Sequence, residues 1–390
     1  MLGSSDAETQ HRGIHVRNRR MRNVAALLVA SSLLAVTACG SDANKAADTT
    51  AASTTADLTT TPPSGAVTTT AAVATSAPDT TAAAGCAATQ GAVIGYSEPL
   101  PDPNFALIED VMRSTLEKAG ATLKPVNANL DPTKQIADVN TLLSSGVSVL
   151  VINPVDPNAV QGVLGDVRAK NIPIVVQDTK VGGPYFTNVT ADVESAAAAG
   201  AALLKATVGD GKVAVIAGPP FAEVLVRESE AFKAAAAEVG LNVVDTQTNM
   251  TISPDAARGF AEAWKQQYGS DLAGIWTFND TSAVGVAAAL GGDFTPALVS
   301  INGQPEAIPL VKAGTILATY DLQQDMLGRA LAFAAIAALC NVTVPADIWV
   351  ESKLIDSTNV DSWVNPADRG KKDIKVKLEE RNGQTYLVEG

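Results

Sequence analysis

From Gly91 onward the chain alternates short, almost unbroken apolar runs with segments of helical periodicity, and this rhythm constrains the fold more than any other feature. AVIGY, VSVLVINP, IPIVVQD, GKVAVIAG, LAGIWTFND, ALVSING and ILATYD read as strands, and ATLKPVNA and LNVVDTQTN add two more. Between them lie segments of helical spacing such as ALIEDVMRSTLEKAG, KQIADVNTLLSSG, EVLVRESEAFKAAAAEVG and PDAARGFAEAWKQQYG, each closed by a glycine. DMLGRALAFAAIAAL continues the pattern near residue 330. Strands this apolar have no face to offer water, so helices must cover both sides of a parallel sheet. About ten strands exceed one comfortable open sheet. The expected class is therefore α/β, with two doubly wound, Rossmann-like lobes.

Composition removes several chemistries. Lys and Arg total 28 against 41 Asp and Glu, a formal charge of −13, which argues against binding a nucleic-acid backbone. No G-x-G-x-x-G follows the first strand and no phosphate-binding G-x-x-x-x-G-K-[S/T] occurs, so nucleotide cofactors lose support. The two histidines, His11 and His15, both precede a candidate export signal. A processed chain would lack histidine, and with it the usual hydrolytic triads and histidine metal sites. Neither a cofactor nor a metal is expected, and a binding role is favoured over an enzymatic one.

The export signal is read from Arg17, Arg19, Arg20 and Arg22, the apolar run VAALLVASSLLAV, and LAVTACG. The run is too short for a comfortable membrane span. The pattern is similar to bacterial lipoprotein signals, which implies cleavage of residues 1–38 and lipidation of Cys39. Removing that segment takes out five arginines and two acids, leaving a charge of about −16. Residues 39–88 are rich in Ala and Thr, with Pro62, Pro63 and Pro78, and are expected to form a flexible stalk. Cys86 and Cys340 remain in the exported part, where they either form one disulfide or stay as two buried thiols.

Parallel sheets carry their functional loops at the carboxyl ends of strands. Those ends hold Ser97 with Asp102, Asn153, Asp178, Asn279 with Asp280, Asn302, and Tyr320 with Asp321. Each can be a helix cap or turn former. Together they describe a polar cleft, with Tyr96, Phe105, Trp276 and Phe278 nearby as candidate covers for apolar ligand faces. At least one of Trp276 and Phe278 is expected in the core.

The segments VSVLVINPVDPNAV, NIPIVVQDT, GKVAVIAG, IWTFNDTSAVGVAAAL, VSINGQPEAIPLVKAG and ATYDLQQDMLGRAL give the chain a resemblance to the ribose-binding-like, type I periplasmic-binding proteins over roughly residues 92–360. The resemblance implies two lobes joined by a three-strand hinge, with a ligand held between them. It divides the chain into an N-terminal lobe (89–191 and 320–347), a C-terminal lobe (192–319 and 348–366) and an extension (367–390). NG at 382–383 marks that extension as a hairpin, which could decorate the second lobe. The resemblance also implies a Cys86–Cys340 bridge tying the start of the domain to the last helix of the first lobe.

Carried over by position, the implied ligand-binding set is Ser97, Asp102, Phe105, Asn153, Asp178, Arg227, Asn279, Asn302 and Asp321, with Tyr96 and Trp276 as candidate aromatic contacts. Two departures stand out. Asn302 replaces a characteristic aspartate. The family arginine of the helix after GKVAVIAG falls on Glu228, with Arg227 one place early, an offset of about 100° around the helix. The implied function is capture of a small neutral polyhydroxylated ligand, a monosaccharide or polyol, and its delivery to an ABC permease. The protein would act outside the cytoplasm as a lipid-anchored monomer on the outer face of the membrane. An alternative is a sugar- or polyol-sensing module for a membrane receptor.

Overall fold

A computed structural model describes residues 86–390. The signal segment, Cys39 and the stalk up to residue 85 lie outside the described residues. Within them the chain forms two α/β lobes, each built on a twisted, largely parallel sheet.

The first lobe opens with β1 (Val93–Glu98), α1 (Pro103–Lys118), β2 (Thr122–Asn127), α2 (Pro132–Ser144), β3 (Val149–Ile152), α3 (Gln161–Ala169), β4 (Ile174–Gln177) and β5 (Thr187–Ala191). The second contains α4 (Val193–Val208), β6 (Lys212–Ala217), α5 (Glu223–Glu238), β7 (Asn242–Thr248), α6 (Pro254–Tyr268), β8 (Leu272–Thr277), α7 (Asp280–Ala289), β9 (Ala297–Asn302), α8 (Ile308–Lys312) and β10 (Ala318–Asp321). The chain then returns through α9 (Gln324–Leu339) to β11 (Asp347–Val350), crosses again to β12 (Lys353–Asp356), and ends with α10 (Pro366–Gly370), β13 (Val376–Arg381) and β14 (Gln384–Glu389). The first sheet runs β13-β14-β11-β5-β4-β3-β1-β2 and the second β12-β10-β9-β8-β6-β7.

Burial explains the assignment. All four residues of β3, VLVI, are buried, as expected of a central strand covered on both faces. Helix α9 is mostly apolar and almost wholly buried, lying between α1 and the first sheet. Gly328 permits that packing, since a Cβ there would stand 2.7 Å from the Ile108 carbonyl oxygen.

Three boundaries differ from the sequence reading. The return to the first lobe comes after β10, because Ala318–Asp321 pairs in register with Val299–Asn302 of the second sheet. It therefore falls at Leu322–Gln323 rather than Thr319–Tyr320. The departure falls after Val350 rather than near 344–348, because Asp347–Val350 pairs with Asn188–Ala191. The expected stalk ends sooner than residue 88: Ala87–Thr89 is a helical turn of the folded unit, and the buried Thr89 hydroxyl donates to the Ala119 carbonyl at 2.6 Å.

The C-terminal residues form the expected hairpin but extend the first lobe, not the second. Strand β14 joins β11 through Trp349 and Tyr386. Cys86 and Cys340 are disulfide-bonded, with Cα atoms 5.9 Å apart, linking the first described residue to the carboxyl end of α9.

Candidate functional site

The carboxyl ends of both sheets face a cavity of about 210 Å³ lined from the two lobes. That is below the roughly 300–1,000 Å³ of drug-sized sites. Asp102, Phe105, Asn153 and Asp178 reach it from the first lobe, and Asn279 and Asn302 from the second. No Lys, Arg or His is among its lining residues.

Asp178 is the centre of the polar wall. It follows β4 with φ +60°, a left-handed backbone that an aspartate tolerates. Its carboxylate is buried and accepts from Asn153 Nδ2 (3.3 Å), Gln177 Nε2 (3.2 Å), Thr190 Oγ1 (3.2 Å) and the Ala191 amide (3.4 Å). Burial pushes its pKa up, while Arg227, Gln177, the Ala191 amide and Thr190 oppose the rise. On the other lobe Asn279 caps α7, accepting the Ser282 amide at 2.9 Å. Asn302 ends β9 with φ +118° and lines the cavity.

Behind Asn279, the buried Asp280 accepts from Thr319 Oγ1 (2.7 Å), the Gln304 amide (2.6 Å) and Ser300 Oγ. Burial nevertheless raises its pKa to about 7. Asp280 joins β9 and β10 beneath the site and does not line the cavity.

Five expected positions lie elsewhere. Tyr96 is fully buried in the first core, and its hydroxyl donates to Gln177 Oε1 at 2.9 Å, orienting the amide that reaches Asp178. Ser97 points to Gln135 at 3.2 Å, and Gln135 in turn holds the Asn153 carbonyl and the Val155 amide. Trp276 is core, stacked on Phe232 with centroids 4.2 Å apart. Phe278 lines the cavity instead. Asp321 is held by Arg369 of the C-terminal extension, with its other oxygen taking the Gln323 amide at 2.7 Å.

Arg227 also misses the lining. It pairs with Glu194 at 2.7 Å and reaches across the lobes to the Asp178 carbonyl (2.6 Å) and Thr190 Oγ1 (3.2 Å). A second interlobe contact runs from Gln304 Nε2 to Asn104 Oδ1 at 3.4 Å. Together they draw the lobes into a closed arrangement.

Several lining residues were not selected from sequence. Gln177 and Gln324 supply amides, while Phe221, Leu225 and Ile252 supply apolar wall. Glu228 takes the helix face that Arg227 leaves, one residue on in α5. Gln324 reaches the cavity from the first turn of α9.

A family model described as a periplasmic binding protein domain matches residues 94–341. The chain belongs to that family. It is similar to the ribose import binding protein of Bacillus subtilis, 27% identical over 60% of this chain and 77% of the relative. The ribose import binding protein of Escherichia coli is 26% identical over 66% of this chain and 87% of its own length. Among solved structures, an ABC transporter solute-binding protein from Mycobacterium smegmatis with bound glycerol superposes with a TM-score of 0.62. It is 26% identical, covering 70% of this chain and 96% of that one. This is a ribose-binding-like, type I periplasmic-binding protein: an extracytoplasmic solute-binding component of transport rather than an enzyme.

Proposed function

We propose that the protein captures a small sugar or polyol between its lobes and delivers it to an ABC permease. The observation that carries this reading is the cavity itself. Hydrogen-bonding groups from both lobes surround a space of about 210 Å³ that contains no basic side chain in its lining. Asp178 supplies a fixed acceptor, and Asn153, Asn279 and Asn302 supply amides that both donate and accept. Phe105 and Phe278 cover C–H faces. An anionic ligand finds no arginine clamp here. The ribose named for the curated relatives and the glycerol in the solved structure are of the same chemical class.

Closure about the three crossovers would bring Arg227 and Gln304 onto the first lobe, remove water, and form the surface a permease reads. Lipidation at Cys39, a monomeric state and residence on the outer face of the membrane belong to the same proposal.

A thermal-shift screen of the full-length protein against pentoses, hexoses, alditols and inositols tests it. At least one should raise the melting temperature. Asp178→Ala and Asn302→Ala should each remove that shift while leaving a cooperative transition. Wild-type affinity in both variants would place the ligand elsewhere.

A further inference from the structure

Glu228 sits in the cavity wall in a state the protein does not resolve by itself. It projects from α5 and is 1% exposed. Its Oε1 is buried with no hydrogen-bond partner. The basic residue beside it, Arg227, is committed elsewhere through Nε, Nη1 and Nη2 to Glu194, the Asp178 carbonyl and Thr190. Asp102, Asp178 and Glu223 are the other charged residues lining the cavity, and all are acidic. From the first lobe, Gln324 adds a second buried oxygen, Oε1, that also lacks a partner.

Buried carboxylates are ordinarily paired or hydrogen-bonded, because an isolated one costs several kcal/mol. The absence of an arginine clamp argues against an anion in this cavity and leaves a cation open. A neutral hydroxyl would give Glu228 a single donor and no countercharge. An ammonium group gives three donors and the missing positive charge.

We infer that the ligand carries a protonated amine as well as hydroxyls, an amino sugar or amino polyol, and that Glu228 is its counter-ion. The inference rests on the sugar or polyol reading and narrows it. Asp178 and the asparagines hold the hydroxyl-bearing part, and Gln324 offers a further acceptor for the ammonium hydrogens. Burial and the neighbouring Glu194 push the Glu228 pKa well up, and an ammonium beside the carboxyl would draw it back down. Arrival of the ammonium favours the carboxylate, and any proton the carboxyl then gives up passes to solvent.

The test compares matched pairs on the full-length protein by calorimetry at pH 7: D-glucosamine with D-glucose, 1-amino-1-deoxy-D-glucitol with D-glucitol, and an inosamine with myo-inositol. The amine of at least one pair should bind about tenfold or more tightly than its hydroxyl partner, as a close charge pair supplies. Its binding should release up to about one proton, read from the dependence of the heat on buffer ionisation. Glu228→Gln should bring the ratio near one while keeping a cooperative melting transition. Equal or tighter binding of the neutral members overturns the inference and leaves the sugar or polyol reading standing, as does an amine preference that survives Glu228→Gln. If no member of any pair binds and the wider sugar and polyol screen is also silent, the solute reading falls and takes the inference with it.

Discussion

Two acidic clusters, one at the crossovers and one in the cavity wall, are built on opposite terms. At the crossovers Arg369 joins the buried carboxylates of Asp321 and Asp325, and Arg329 donates to the carbonyls of Arg369, Gly370 and Lys372. Tyr386 donates to Asp192 at 2.8 Å, and Arg381 pairs with Glu351 at 3.2 Å. Each of the three crossovers is thus held by a residue from the C-terminal segment 366–390. In the cavity wall, Glu228 has no such partner. The difference separates charges the chain satisfies for its own folding from one it leaves for another molecule.

That comparison breaks most easily at Arg369. Arg369→Ala leaves Asp321 and Asp325 buried and unpaired, and should cost about 3–5 kcal/mol in denaturant unfolding. Glu228→Gln, by contrast, should leave stability unchanged or raise it, because it removes a carboxyl that nothing in the fold pairs. Similar losses in the two variants would erase the distinction.

Replacing Cys340 with Ala comes next. Loss of the Cys86–Cys340 bridge should lower stability by about 2–4 kcal/mol. Ligand affinity should not change, since the bridge lies at the carboxyl end of α9 and the cavity at its amino end.

The smallest loss is expected from Tyr386→Phe, which removes one hydrogen bond to a buried carboxylate, about 1.5 kcal/mol. A change in ligand affinity without a change in stability would sharpen the comparison differently. It would mean that the C-terminal hairpin sets the closure equilibrium as well as the fold.

The parallel-sheet architecture was legible because β3, β4 and β6 are apolar runs of a length only a doubly covered strand explains. Strand β5, TNVTA, was not, although every residue in it is buried. Its polar side chains reach distant groups: Thr187 Oγ1 donates to the Pro345 carbonyl and Asn188 Nδ2 to Asp347, while Asn188 Oδ1 stays buried without a partner. No local pattern reports such partners.

The site was legible to the same depth. Strand-end position brought Asn153, Asp178, Asn279 and Asn302 together, because topology alone aims those ends at one place. It could not say which way a side chain turns. Ser97 ends its strand equally well but faces Gln135. Asp321 is taken by an arginine 48 residues later, outside the family resemblance. Arg227 and Glu228 exchange roles over a single step of helix, a shift that sequence spacing raised and only the packing of α5 could decide.

The disulfide has a mechanical consequence. Helix α9 runs from the cavity at Gln324 to Cys340, a length of roughly 24 Å at 1.5 Å per residue. Cys86 is fastened to its far end. Any force on the upstream chain enters the first lobe at that pole and is shared with a helix that is itself buried. It does not pass through the crossovers. A pull on the chain ahead of Cys86 would therefore load the first lobe alone and leave the crossovers to the second lobe unstrained.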